Sequence, residues 1–275
     1  MPARPELGVP RALALLYCAA QRPVLAALFG IEREVGASLA PGLDHHIAHM
    51  RLAWWREECE RCAQGQARHP LTRELQAAFG PRAAVLARLE GLVATATWDL
   101  AQVAFATRAE LSGYCERWSA ALAEPLAAHA APQLPGARVR PLGRSLRELE
   151  LLLRLAPDAH RGRLRLPLDE LHSAHATPQS LAAPSWPPGL TELVRARHRA
   201  ARADLAASVA ALAPDAQRPL RPLLVWAAVL GSHSRRAERD LPRSAAPGEY
   251  RAPLDGWRAW RAARRAQRNR LQLPG

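Results

Sequence analysis

An all-α fold is predicted for this 275-residue chain by three observations. Ala, Leu and Arg dominate, and these residues lose little side-chain freedom in a helix. β-branched residues are scarce and few segments alternate with period two. Apolar residues recur instead at spacings of three and four. A chain of this length can bury a substantial core without disulfides or structural metal. Its Pro-rich stretches are too short to separate folding units, so a single domain over 1–275 is expected, with a basic C-terminal tail from about Trp257.

The first helical segment runs from about Arg11 to Ser38, with a break expected near Arg22-Pro23, and Pro41-Gly42 closes it. Asp44 is the predicted N-cap of a helix carrying His45 to Cys62 and ending near Gly65. A loop leads to Leu71–Phe79, and Gly80-Pro81 breaks the chain again. Arg82–Thr97 and Ala109–Ala130 are read as helices, followed by a Pro-rich loop to Pro141 and a helix over Leu142–Leu155. Leu166 to Leu171 reads as an extended lead-in to a short helix, and Ala176–Gly189 as a mobile connection. Helices over Leu190–Leu212 and Pro219–Asp240 precede the basic terminus.

The formal charge is +13, and with no Lys in the chain every strongly basic side chain is Arg. Such a balance favours polyanions such as diphosphates, lipid head groups or nucleic acid. No nucleic-acid motif accompanies it, so nucleic acid is not expected as a partner. The four cysteines are scattered through helical sequence and do not form a secreted disulfide framework. The apolar stretch Ala12–Ala20 is short for a cleavable signal, and Leu223–Gly231 falls well below the roughly 20 residues of a spanning helix. A cytoplasmic protein is expected, with peripheral contact at the inner membrane left open.

Two stretches carry a family resemblance. Arg51-Leu52-Ala53-Trp54-Trp55-Arg56-Glu57-Glu58, then Gly65 and Arg68-His69-Pro70-Leu71-Thr72-Arg73, is similar to a segment of squalene and phytoene synthases. Arg161-Gly-Arg-Leu-Arg-Leu-Pro-Leu-Asp-Glu-Leu171 resembles the element that follows the family's second aspartate motif. Trp98-Asp99-Leu100, Glu110-Leu111 and Tyr114-Cys115 add ordered echoes between them. The resemblance implies an isoprenoid-synthase-type helical bundle around a central cavity. It also implies a role in terpenoid biosynthesis, in which two prenyl diphosphates are coupled with Mg²⁺ held by two aspartate motifs on facing helices.

Those motifs are largely missing. Gly36 and Ala37 stand where the first pair is expected, and Glu32 and Glu34, two apart, do not share a helix face and read as solvated charges. In the second, Arg154 replaces the first aspartate and Asp158 survives. Glu150, Arg154 and Asp158 then form an i,i+4 ladder of ion pairs, a poor metal site because the guanidinium stays charged. Glu32, Glu150 and Asp158 are the residual catalytic candidates, and Glu34 and Asp99 could serve a synthase with displaced acids. Arg51, Arg56, Arg161 and Arg163 are the candidates for diphosphate binding, since the Arg fork gives one phosphate two hydrogen bonds.

The expected function is therefore a degenerate, non-catalytic member that binds an isoprenoid or prenyl diphosphate, or acts on a protein partner in assembly, with no cofactor. The alternative is an active prenyltransferase requiring Mg²⁺. Asp44, His45, His46 and His49 hold a chelating i,i+4 pair but lack a third ligand, so no metal site is assigned. Cys59 and Cys62 lie within a charged helix rather than at an N-terminus, and read as incidental. Arg56–Glu60 is a candidate i,i+4 pair, and Trp54-Trp55 candidate core anchors. The Trp257–Arg270 segment reads either as a solvated tail or as a contact with anionic membrane.

Overall fold

A computed structural model describes residues 8–241 and 252–275. Helices α1 (Val9–Leu16) and α2 (Arg22–Gly36) divide the first predicted segment. The break comes at a 3₁₀ turn over Ala19–Gln21, because Pro23 lies in the first turn of α2, where its missing N–H is not needed. Asp44 caps α3 (His45–Ala63) as predicted, accepting from the backbone N–H groups of His46 at 2.9 Å and Ile47 at 3.1 Å. After α4 (Pro70–Phe79) the chain winds as 3₁₀ from Gly80 to Leu89, so α5 (Glu90–Leu100) is shorter than the predicted helix. Then come α6 (Arg108–Ala130), α7 (Arg140–Leu152), α8 (Leu155–Ala159), α9 (Leu168–Ser173), α10 (Pro188–Ala210), α11 (Pro214–Gln217), α12 (Arg221–Asp240) and α13 (Ala252–Gln267). Among the described residues there is no strand.

The helices enclose one large apolar cluster in which Trp118, Trp226, Leu25, Leu28, Ile31 and Leu122 are wholly buried. α6 lies against α5 and α7 at close range. At Gly143 an added Cβ would sit 2.1 Å from Ser119 Oγ, and at Gly91 it would sit 2.4 Å from the Arg117 carbonyl oxygen. Both contacts require glycine. The Ala176–Gly189 connection is not loose. Leu181 and Trp186 are buried, and Trp186 donates its indole N–H to the Leu181 carbonyl at 3.3 Å. No single helix among the described residues is long and apolar enough to cross a membrane; α1 and the segment after it pass only as a pair bent by 115°.

The Trp54-Trp55-Arg56 segment of α3 is a building element. Its inward face carries Ala48, Leu52, Trp55, Cys59 and Cys62, whereas Trp54 is 41 % exposed, so only one of the paired tryptophans is a core anchor. Glu58 is buried and accepts from the backbone N–H of Arg68 (2.7 Å) and His69 (2.8 Å), from Thr72 Oγ1 (2.5 Å) and from Arg61 Nε (3.1 Å). One carboxylate thus fastens the start of α4 to α3. The ion pairs of this helix run from Arg61 to Glu57 and Glu58, not from Arg56 to Glu60. Burial pushes the Cys59 and Cys62 thiols up to about 12, so both are inert packing groups.

A polar seam joins α10 to α12. His198 Nδ1 lies 2.9 Å from Ser234 Oγ, and Arg202 reaches both Ser234 and Glu238. Burial, then the nearby Arg202, lower the His198 imidazole from 6.5 to about 4. Between those values the unfolded chain carries a proton at this residue that the native state excludes, so stability falls as pH drops and levels off below about 4. The loss should approach about 3 kcal/mol across that window. Denaturant titrations at pH 7, 5.5 and 4 should show this slope, and His198→Gln should flatten it; an unchanged slope would assign the effect elsewhere.

Candidate functional site

A cavity of about 440 Å³ opens between α1, α2, α5, α6, α7 and α12. Phe29, Leu92, Ala96, Leu151 and Leu230 supply apolar wall, and six arginines with four carboxylates supply the charge, a net of +2.

The charges form one connected array. Arg11, from α1, lies between Glu32 of α2 and Glu150 of α7. It grips Glu32 through Nη1 at 2.5 Å and Nη2 at 3.2 Å, and Glu150 through Nε at 2.8 Å and Nη2 at 2.7 Å. Its guanidinium also sits over Phe29, Trp118 and Trp226, with Cζ 4.9–5.6 Å from the ring centres. Trp118 donates its indole N–H to Glu32 at 2.8 Å. Arg147 flanks the same acids at 3.4 and 3.7 Å and donates to Tyr114 Oη at 3.1 Å. Tyr114 in turn donates to Asp99 at 3.2 Å. Asp99 receives both Nη groups of Arg165 at 2.7 and 2.9 Å, while Arg165 Nε reaches Asp158 at 3.1 Å.

These contacts set the ionisation. Burial disfavours the Arg11 charge, but Glu150 and Glu32 outweigh it and hold this guanidinium above its ordinary value. Burial raises Glu32, yet Arg11 and Arg147 overcome it and keep the carboxyl below its ordinary range. Glu32 is therefore not the solvated helix charge predicted, whereas Glu34 faces solvent beside Arg33. The predicted Glu150–Arg154–Asp158 ladder is only half formed. α7 ends at Leu152, so Glu150 and Arg154 do not share a continuous face; Glu150 turns to Arg11, and Arg154 keeps Asp158 at 3.7 Å. Pro157 has no N–H to donate to the Leu153 carbonyl, and the helix is interrupted there, between Leu152 and Leu155, ahead of Asp158.

Of the four arginines predicted to bind diphosphate, Arg163 lines the cavity, donating to the Leu39 carbonyl at 3.3 Å. Arg51 and Arg56 lie off the inward face of α3, and Arg161 is exposed in the turn before Gly162, so these three lie outside the cavity. Arg11, Arg147 and Arg165 were not singled out from the sequence. Gly36 lines the cavity with no atom within 4 Å of where its Cβ would be, so a side chain there would enter the open space. His45 and His49 touch each other at 3.0 Å on an exposed turn, and among the described residues no three His, Cys, Asp or Glu side chains converge as a metal cage.

A family model described as squalene/phytoene synthase matches residues 11–258. The chain belongs to the squalene/phytoene synthase family. Its fold is similar to that of a dehydrosqualene synthase crystallised with a ligand (TM-score 0.70, 14 % identity, covering 95 % of this chain and 91 % of that one). It is also similar to the squalene synthase HpnC from Alicyclobacillus acidocaldarius (TM-score 0.65, 18 % identity, 83 % and 87 % covered). Comparison with curated protein sequences gives no significant match. The isoprenoid-synthase helical architecture expected from the sequence is thus present.

The family's Mg²⁺ does not fit these residues. Divalent magnesium needs free carboxylate or phosphate oxygens in near-octahedral array. Here Glu32, Glu150, Asp99 and Asp158 already neutralise guanidinium groups, and a further cation would have to displace Arg11 or Arg165 from two carboxylates at once.

Proposed function

We propose that this squalene/phytoene synthase family member is non-catalytic and binds one isoprenoid anion without metal. The observation that carries the reading is the pairing of every cavity carboxylate with arginine, which leaves positive charge in excess. Arg33 and Arg154 are the exposed members of the six, and with Arg163 they offer an anionic head group a place to bind. The apolar wall inside accepts a hydrocarbon tail. A volume of about 440 Å³ lies at the lower end of the ~300–1,000 Å³ typical of small-molecule sites, room for one amphiphile rather than the two that coupling brings together.

A second reading, an active synthase using displaced acids, is favoured by one observation. Carboxylates from α2, α5, α7 and α8 do converge on one cavity. The test separates the two. Farnesyl diphosphate titrated calorimetrically in excess EDTA should bind, and Arg154→Gln with Arg163→Gln should weaken it at least about tenfold, each charge-assisted contact contributing ~1.5 kcal/mol or more. Incubation with farnesyl or geranylgeranyl diphosphate and Mg²⁺ should release no pyrophosphate above background. Release establishes the synthase reading, and absence of binding in EDTA sinks the metal-free one.

A further inference from the structure

The outward face of α13 is built unlike any solvated tail. Leu254, Trp257 and Trp260 are 43, 52 and 45 % exposed. At 3.6 residues per turn they share an arc of about 140° with Arg261, Arg264 and Arg265. Arg261 lies over the Trp257 ring at 4.4 Å and Arg264 over Trp260 at 5.3 Å. The opposite face, Ala259, Ala262, Ala263 and Ala266, is buried, with α13 packed on α12. The one acid of the helix, Asp255, is 1 % exposed and bound to His233 Nε2 at 2.8 Å, with Arg258 and Arg236 beside it. The segment predicted as a tail is therefore a helix packed on α12, whose outward arc from Trp260 to Arg265 presents apolar groups, indoles and guanidinium groups.

We propose that this face docks on an anionic bilayer surface. An exposed tryptophan is stable at the boundary between head groups and acyl chains, where its ring is shielded and its N–H stays hydrated. Guanidinium groups one turn away reach lipid phosphates at the same depth. Charge complementarity selects the bilayer: the face carries three cations and no anion. Two bulky indoles on a convex helix match no groove-reading element of nucleic-acid recognition. His233 also lines the cavity, so the docked helix is fastened directly to the cavity wall.

The full chain should sediment with phosphatidylcholine vesicles in which a third of the lipid is phosphatidylglycerol, and not with phosphatidylcholine alone. Binding should fall steeply between low and physiological salt. Arg261→Gln with Arg264→Gln should weaken partition by about 25-fold, roughly fivefold per arginine. Trp257→Ser with Trp260→Ser should abolish the blue shift of tryptophan fluorescence on binding while leaving circular dichroism and Tm unchanged. Equal binding to both vesicle types, wild-type binding by both variants, or stronger binding to single-stranded RNA than to vesicles would each overturn the proposal. The vesicles contain no isoprenoid, so the outcome is independent of the cavity reading.

Discussion

Arg165→Met should destabilise the protein by about 3–5 kcal/mol, the range found when one partner of a buried ion pair is removed. Arg165 is 4 % exposed and neutralises two buried carboxylates, Asp99 and Asp158. Without it, Asp99 keeps only the Tyr114 hydroxyl, and Asp158 keeps the solvent-exposed Arg154 at 3.7 Å. A loss of this size is a large share of the 5–15 kcal/mol that holds an ordinary domain together. Urea titration of purified variants checks it. Arg165→Lys should recover little, because a point charge cannot hold Asp99 by two parallel bonds while also reaching Asp158. Asp99→Asn and Asp158→Asn added to Arg165→Met should recover most of the loss, since neutral amides need no counter-charge. A triple variant no more stable than the single one would show that packing of the Arg165 stem, not charge, is what matters.

Arg11→Met should cost about 3 kcal/mol at pH 7, and the cost should shrink on acidification. Met keeps apolar volume among Phe29, Trp118 and Trp226 but leaves Glu32 and Glu150 with Arg147 as their remaining cation. In the native protein Glu32 is held below its ordinary value, so its contribution is present at neutral pH and is lost as pH falls through the folded value. In the variant, burial is opposed by Arg147 without Arg11 and raises the Glu32 carboxyl. The folded variant then binds protons more readily than its unfolded chain, so its stability rises as pH falls towards 4. The two stability curves should converge in acid. Parallel curves would mean that Arg11 acts through its ring contacts alone.

The helical class was legible because helix propensity and apolar spacing are local properties, and the Asp44 cap was legible because its partners lie two and three residues ahead. The 3₁₀ course of Gly80–Leu89 was not, since its composition suits either helix and the choice is made by packing against α3 and α6. The cavity was only partly legible. Family resemblance led to Glu32, Glu150, Asp158 and Arg163, but the residues that decide their chemistry come from far away. Arg11 is 139 positions from Glu150, and Arg165 is 66 from Asp99. Helical periodicity reports which residues share a face and is blind to what another helix brings to it. That is why Glu32 read as solvated.

One property of Arg11 bears on how this cavity could change over generations. Its positive charge is carried on the chain itself, so no chelator, and no fluctuation in cellular magnesium, alters the field around Glu32 and Glu150. Placing aspartates at Gly36, Ala37 and Arg154 would supply the carboxylates the family resemblance leads one to expect, yet leave that resident cation in place. The change that evicts it, alone, weakens the fold. Building a metal site among these carboxylates thus has to cross a stability valley, because the same Arg11 that occupies them also holds the helices together.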